Sequence, residues 1–359
     1  MKQQVHYVET GDHVQLAWAE TGRGPPLVKA ATWLTHLQYD SESPVWAHWV
    51  RFWGGHYRYI RFDERGCGMS DWNVGDLALP RWVDDLEAVV DAAGIDRPFA
   101  LLGISQGAAT AISYAIRHPR RVSHLILYGG YAVGGLRGED PHRTALFRAV
   151  MEVAGLGWGS DNPAFRRLFV ERFMPEGTAE QLEWFNDLCR RTTSATNAPL
   201  LLQARGNVDV LDQLEHVRVP TLVLHANRDQ IAPLAQGRLL ASRIPGARFV
   251  QLDSCNHVLL EHEPAWRDFQ EEVLAFTGVV RPEARRDPDR ESLLTARERE
   301  VLALLCAGRS NAQIGWALGV AEKTVRNHAS GLYRKLGVRS RAEAIDKVAG
   351  RRPSPASTG

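Results

Sequence analysis

Two short apolar runs constrain this chain more than any other feature in it. "FALLGI" (99–104) and "VSHLILYGG" (122–130) are almost continuously hydrophobic, and each is followed by turn glycines. A strand that shows one face to water alternates apolar with polar residues. A strand without that alternation is covered on both faces, as in a parallel sheet flanked by helices. The rest of the chain supplies the helices. "PRWVDDLEAVVDAAG" is amphipathic and ends at Gly94. Further on, "TLVLHAN", "PLAQGRLLASRI", "RFVQLDS" and "EPAWRDFQEEVLAFTG" repeat the strand–helix alternation. "VHYVET", "HVQLAWAET", "PPLVKAA" and "YRYIRFDERG" read as the earlier strands. The fold class this predicts is α/β, a doubly wound sheet with helices on both faces.

The alternation lapses between about 138 and 209. That stretch is helical and rich in Arg, Phe, Leu and Trp, with no convincing strand. An insertion of this kind lies over the strand ends and is expected to act as a lid. Near the C-terminus "RPEARRDPDRES" is polar and proline-bearing, which marks a linker. The expected division is a domain over 1–278, a linker over 279–292, a small helical domain over 293–349 and a disordered tail over 350–359.

Charge follows the same division. From position 281 onward there are 16 basic and 9 acidic side chains, a net of +7, while the rest carries 27 and 33, a net of −6. An acidic body with a basic tail is the distribution expected when the tail meets nucleic acid. The four cysteines are scattered with no CxxC pair, which argues against structural zinc or a disulfide framework. No metal or other cofactor is expected. No stretch approaches the ~20 apolar residues of a membrane span, and the N-terminal residues lack the apolar core of a signal peptide. A cytoplasmic location without membrane contact is the expectation.

The first run ends in Gly103-Ile104-Ser105-Gln106-Gly107, a G-x-S-x-G between an apolar strand and a small-residue helix. In a turn this tight, side chains at the glycine positions would strike the neighbouring strand and helix. The turn would present the Ser105 hydroxyl as a nucleophile, which needs a base and an acid to orient that base. In this architecture the order is Ser, acid, His. Asp229 in "LHANRDQIAP" and His257 in "LDSCNHVLLEHEP" follow successive strands, at the ends where an open α/β sheet places its crevice. Taken singly, Asp229 reads as a turn cap and His257 as a loop histidine; order and placement together favour a triad. Asp253 is a weaker acid, being too close in sequence to His257.

With "FDERGCGMSD", "GISQG", "RDQIAP" and "SCNHVLLEHEP" in place, residues 5–278 resemble the α/β-hydrolase family. The resemblance implies Ser105 as nucleophile, His257 as general base and Asp229 as its partner. It implies an oxyanion hole from the backbone N–H of Gln106 and one from the loop after "PPLVKAA", where Trp33 is the expected donor. Members usually carry His-Gly in that loop. Here it reads "KAATWLTHL", and Asn256 replaces the glycine common before the histidine. Trp33 and lid aromatics such as Trp158, Trp184 and Phe185 are candidates to line an apolar pocket.

The C-terminal segment divides into short helices. "TAREREVLALLCAG" opens with a Thr295/Glu298 capping box. "SNAQIGWALG" and "AEKTVRNHASGLYRKLG" flank a "GVA" turn, with apolar Ile314, Ala317 and Leu318 on one and Val325, Leu332 and Leu336 on the other. That is a helix-turn-helix whose second helix enters the major groove. Residues 293–348 closely resemble the LuxR/GerE-type DNA-binding domain, a small four-helix all-α fold. The resemblance implies that Arg326, Asn327 and Ser330 face base edges of double-stranded DNA. Lys323, Thr324, Arg334 and Lys335 would approach phosphates. His328 reads as a packing residue.

The expected protein is a one-component transcriptional regulator, acting as a homodimer. Its α/β-hydrolase domain would sense a small ester, lactone or other apolar ligand, with slow hydrolysis of that ligand left open. The alternatives are a serine esterase or lactonase with an accessory DNA-binding domain, and an interaction scaffold with an inactive pocket.

Overall fold

The computed structural model describes residues 3–162, 164–279 and 294–336, with Arg341 and Ala344. The chain forms two compact units that divide between Arg281 and Pro282. Apart from Val279, the expected linker lies outside the described residues, as does the expected disordered tail.

The first unit is built on eight strands: β1 (Gln4–Glu9), β2 (Gln15–Thr21), β3 (Pro26–Lys29), β4 (Arg58–Phe62), β5 (Phe99–Ile104), β6 (Val122–Tyr128), β7 (Thr221–Ala226) and β8 (Arg248–Leu252). They form one sheet in the order β1-β2-β4-β3-β5-β6-β7-β8. β1–β2 and β2–β4 are antiparallel and the remaining pairs are parallel.

The continuous apolar runs are strands buried on both faces. Leu102, Ile126, Leu222 and Leu224 enter one core cluster, with Trp49, Trp53 and Phe269. Their neighbours Leu101, Leu125, Leu127 and Val223 enter the other, with Leu86, Ala111 and Ile112. Successive side chains of a strand point to opposite faces, so each run feeds both cores.

Between β6 and β7 lie four helices, Pro141–Gly157, Ala164–Val170, Ala179–Thr192 and Asn197–Gly206, followed by a 3-10 turn at Leu211–His216. Each of the two longer ones starts from a bonded cap: Asp140 accepts from the N–H of His142, and Thr178 forms a capping box with Gln181. This insertion occupies most of the segment expected as a lid.

In the second unit, helices Ala296–Cys306, Asn311–Leu318 and Glu322–Leu336 pack around Val301, Leu305, Ile314 and Val325, with a smaller cluster of Leu294, Leu302, Leu332 and Ala344. The capping box of Thr295 and Glu298 is present, and Ser310 with Gln313 makes a second. Gly319, at φ +66°, turns the chain between Asn311–Leu318 and Glu322–Leu336. A Cβ on Gly315 would meet the Val320 carbonyl oxygen at 2.7 Å, so only glycine lets the turn close there. Ala317 is exposed and Leu318 half-buried, so the turn is sealed mainly by Ile314 and Val325.

Candidate functional site

β5 ends at Ile104, and Ser105 follows in the left-handed region at φ +54°. A non-glycine residue there is strained, and the strain is held by close packing on both sides. A Cβ on Gly103 would lie 2.7 Å from Cα of Ala108 in the helix that follows (Gly107–Arg117). A Cβ on Gly107 would lie 3.1 Å from the Ala31 carbonyl oxygen, in the loop after β3. The two motif glycines thus allow the elbow to fold against its own helix and against the neighbouring loop.

Asp229 stands in the turn after β7. Its Oδ1 accepts from the N–H groups of Ile231 and Ala232, at 2.7 and 3.0 Å. Its Oδ2 meets Nδ1 of His257 at 2.6 Å, and both side chains are buried. Burial opposes the charge on Asp229, but His257 and the turn N–H groups outweigh it and hold the carboxyl below its ordinary value. Nε2 of His257 is buried with no protein partner among the described residues. Ser105 and His257 are not hydrogen-bonded to each other in this structure, a separation common before substrate closes a site. Two consecutive glycines pack against this corner. A Cβ on Gly129 would touch Cε1 of His257 at 3.1 Å, and one on Gly130 would lie 2.5 Å from Cβ of Ala108, in the helix that follows the nucleophile. Asp253 is on the surface, paired with Arg228 at 2.9 Å.

The histidine loop is fastened from several directions. The N–H of His257 donates to the carbonyl of Phe173, in the lid segment, at 2.8 Å. Asn256, in the place of the usual glycine, is fully buried. Its Oδ1 accepts from the N–H of Glu176 at 3.1 Å and its Nδ2 donates to Glu263 at 3.4 Å. His48 and Trp49, on the helix Ala47–His56, both donate to the carbonyl of Leu259, at 2.9 and 3.1 Å.

Neither the N–H of Gln106 nor that of Trp33 has a backbone acceptor among the described residues. Both residues line the cavity onto which Ser105 opens. Three residues support this corner that local sequence patterns gave no reason to single out. The buried Glu64 accepts from Nε2 of Gln106 at 3.0 Å and from Arg205 at 2.6 Å. Arg205 lies 4.6 Å over the ring of Trp33. Lys29, buried at the end of β3, donates to the Thr32 hydroxyl at 2.8 Å, and burial brings its ammonium down to about 8. Glu64 belongs to the quoted "FDERGCGMSD", but its partner is 141 positions away, which no local pattern reveals.

The cavity measures about 140 Å³. Trp33, Ser105 and Gln106 form its floor, and the lid supplies Phe147, Phe169 and Phe173 among others. Trp158, Trp184 and Phe185 are not at its wall: Trp158 stacks behind Trp33 at 5.5 Å, Trp184 stacks on Tyr39 at 4.8 Å, and Phe185 is buried against Phe173. The aromatic lining was foreseeable in kind, but helical phase within the lid decides which rings reach it. No cluster of three or more His, Cys, Asp or Glu suited to a metal occurs among the described residues, and no described helix is long and apolar enough to cross a membrane.

In the second unit, the helix Glu322–Leu336 carries every residue expected to meet DNA. Lys323, Arg326, Asn327 and Ser330 are exposed, while Thr324 is half-buried. Arg326 rests on Glu322 at 3.2 Å, an exposed pair that a phosphate or base can displace. The Ser330 hydroxyl donates to the Arg326 carbonyl at 3.0 Å, within its own helix. Lys335 bonds Glu298 at 2.7 Å, the same carboxylate that closes the Thr295 capping box. It ties this helix to Ala296–Cys306, a structural duty absent from its expected role as a phosphate contact. The side chain of Arg334 lies outside what is described.

A model of the alpha/beta hydrolase fold matches residues 36–264, and a model of the luxR family of bacterial regulatory proteins matches residues 292–348. The AB hydrolase superfamily protein YisY of Bacillus subtilis is 27% identical over 269 residues, covering 70% of this chain and 92% of that protein. A 2-hydroxymuconate semialdehyde hydrolase of Pseudomonas putida is 28% identical, over 62% of this chain and 79% of that protein. Among solved structures, an esterase from Exiguobacterium antarcticum superposes with a TM-score of 0.64 at 23% identity, covering 77% of this chain and all (100%) of that one. An enol-lactonase from Burkholderia xenovorans gives 0.62 at 23% identity, over 76% and 100%.

Proposed function

The chain belongs to the α/β-hydrolase fold family and carries a LuxR-family DNA-binding domain at its C-terminal end, and from that premise we propose that it is a ligand-responsive transcriptional regulator. The observation that carries this reading is the pairing of a lidded cavity at a nucleophile elbow with a DNA-reading helix in one polypeptide. A metabolic hydrolase gains nothing from a recognition helix. The small molecule binds under the lid, beside Ser105. The second unit reads DNA, with Arg326 and Asn327 on base edges and Lys323 on phosphate, as one half of a homodimer.

A ligand shifts DNA affinity only by the difference in its affinity for the protein's two conformations. By linkage, operator DNA then changes ligand affinity by the same factor. Titrating ligand with and without operator tests the reading. Equal ligand affinities, with both sites shown to bind, would reduce the protein to two unrelated activities on one chain.

A second reading, slow hydrolysis of the sensed molecule, is favoured by the strained backbone of Ser105 and the 2.6 Å contact between Asp229 and His257. In this mechanism Ser105 Oγ attacks an ester or lactone carbonyl as His257 Nε2 takes its proton. Asp229 holds the imidazole in the tautomer with Nδ1 protonated and stabilises the imidazolium. The N–H groups of Gln106 and Trp33 receive the oxyanion. His257 passes its proton to the leaving oxygen, and water, activated by His257, cleaves the acyl-serine. An electrophilic serine probe should label the protein, and Ser105→Ala should abolish labelling. Equal ester turnover by wild type and Ser105→Ala would remove catalysis and leave sensing intact.

A further inference from the structure

The cavity beside Ser105 holds more positive charge than its surroundings neutralise. Arg143, Arg172 and Arg205 line it, all three from the lid, and among the described residues no Asp or Glu does. Arg205 is matched by Glu64 beneath it, at 2.6 Å. The other two form no ion pair among the described residues. The carboxylate acting on Arg143 is Asp140, which is engaged in capping the helix through the N–H groups of His142 and Arg143 itself. Arg172 donates to the carbonyl of Gln230 at 2.8 Å, and the nearby Asp229 is already bonded to His257 and to two backbone N–H groups. Both guanidinium groups are half-buried, and burial works against their charge. A partly desolvated cation without a counter-ion is costly. A guanidinium also presents its donors in the geometry of a carboxylate.

The rest of the wall is apolar and aromatic, and the volume of about 140 Å³ sets the scale. A cavity of roughly 150 Å³ holds a benzene-sized molecule. We propose that this site selects a small organic acid, with its carboxylate on Arg143 and Arg172 and an apolar body of about one ring lying over Trp33 and Phe173 beside Ser105. The proposal rests on the reading of this cavity as the ligand site and narrows that ligand to a carboxylate. If the ligand is also an ester or lactone, that second group is the one that faces Ser105.

The test measures calorimetric binding of phenylacetate, phenylacetamide and benzylphosphonate to the full chain without DNA. Phenylacetate should bind about tenfold or more tightly than its neutral, nearly isosteric amide, as expected of paired arginines acting on a carboxylate. The advantage should collapse in Arg143→Gln/Arg172→Gln and return in large part in Arg143→Lys/Arg172→Lys, which keeps the charge and controls for folding. Equal binding of acid and amide, binding of neither, or a preference unchanged in the glutamine variant would overturn the proposal. Tighter binding of the phosphonate would overturn the carboxylate assignment in favour of a phosphate-bearing ligand. None of these readouts requires hydrolysis or DNA. A carboxylate preference without DNA coupling would refute the regulator and spare this inference, and coupling driven by a neutral ligand would do the reverse.

Discussion

Gly129 sits at φ +57°, where a methyl group would lie 3.1 Å from Cε1 and 3.3 Å from Nδ1 of His257. Gly129→Ala therefore meets two penalties. The left-handed backbone costs a residue with Cβ about 1–2 kcal/mol, and the imidazole must give way. The expected outcome is a folded protein with a modest loss of stability and a disproportionate loss of Ser105 labelling, tenfold or more if roughly 1.4 kcal/mol of transition-state stabilisation is lost. Thermal unfolding and probe-labelling rates on the same samples check it; labelling at the wild-type rate would show that the imidazole does not depend on this contact. The nucleophile turn was legible in the sequence because its five-residue motif, the apolar strand before it and the small-residue helix after it are contiguous in the chain. Gly129 was legible only as a turn glycine, because its partner is 128 positions away. Arg143 and Arg172 left no signal, since nothing local distinguishes a lid arginine that faces a cavity from one that faces water.

Among the elements, the helix Ala47–His56 acts as a clasp on the histidine loop through His48 and Trp49. Burial brings His48 down to about 4, so it is neutral in the folded protein at pH values where the unfolded chain, with a value near 6.5, already binds a proton. Between these values the unfolded state holds more protons, so stability falls as pH falls. The full effect amounts to about 3 kcal/mol. His48→Gln keeps a donor for Leu259 and has no proton to gain. The expected outcome is a shallower loss of stability between about pH 6.5 and 4, read from denaturant midpoints across that window. A slope identical to wild type would assign the acid sensitivity to other groups.

The recognition helix carries a parallel distinction. Arg326→Ala should cost ~1–3 kcal/mol of operator binding with little change in stability. Lys335→Ala should lower the unfolding temperature of the second unit, because it leaves the largely buried Glu298 without its cation. Competition binding and calorimetry on both variants separate the two roles. The strands and helices themselves were legible because apolar periodicity is set residue by residue. Lys335 was read as a phosphate contact from its place on the recognition helix; its bond to Glu298, 37 positions away, is not visible in a local pattern.

On the scale of the whole molecule, the chain folds as two compact units, and the division falls between Arg281 and Pro282. A protein ending at Arg281 should keep Ser105 labelling at the full-length rate and lose all DNA binding. Labelling assays and electrophoretic shifts check both halves of that statement. The sequence reading put a linker over 279–292 on composition alone, from a polar, proline-bearing run.

The lid has a consequence of a different kind. Every cavity arginine and most of its aromatic wall come from one uninterrupted stretch between β6 and β7, whereas the nucleophile, its base and the DNA-reading helix are encoded elsewhere. A single in-frame recombination within that stretch, downstream of Gly129 and Gly130, would exchange the cavity wall while leaving Ser105, His257 and the C-terminal domain in place. New partners would then be needed for the His257 N–H and for Glu64, which Phe173 and Arg205 now supply. Under the regulator reading proposed above, such an exchange would alter the molecule the cavity admits in one genetic step and leave the DNA sequence that the C-terminal domain reads unchanged.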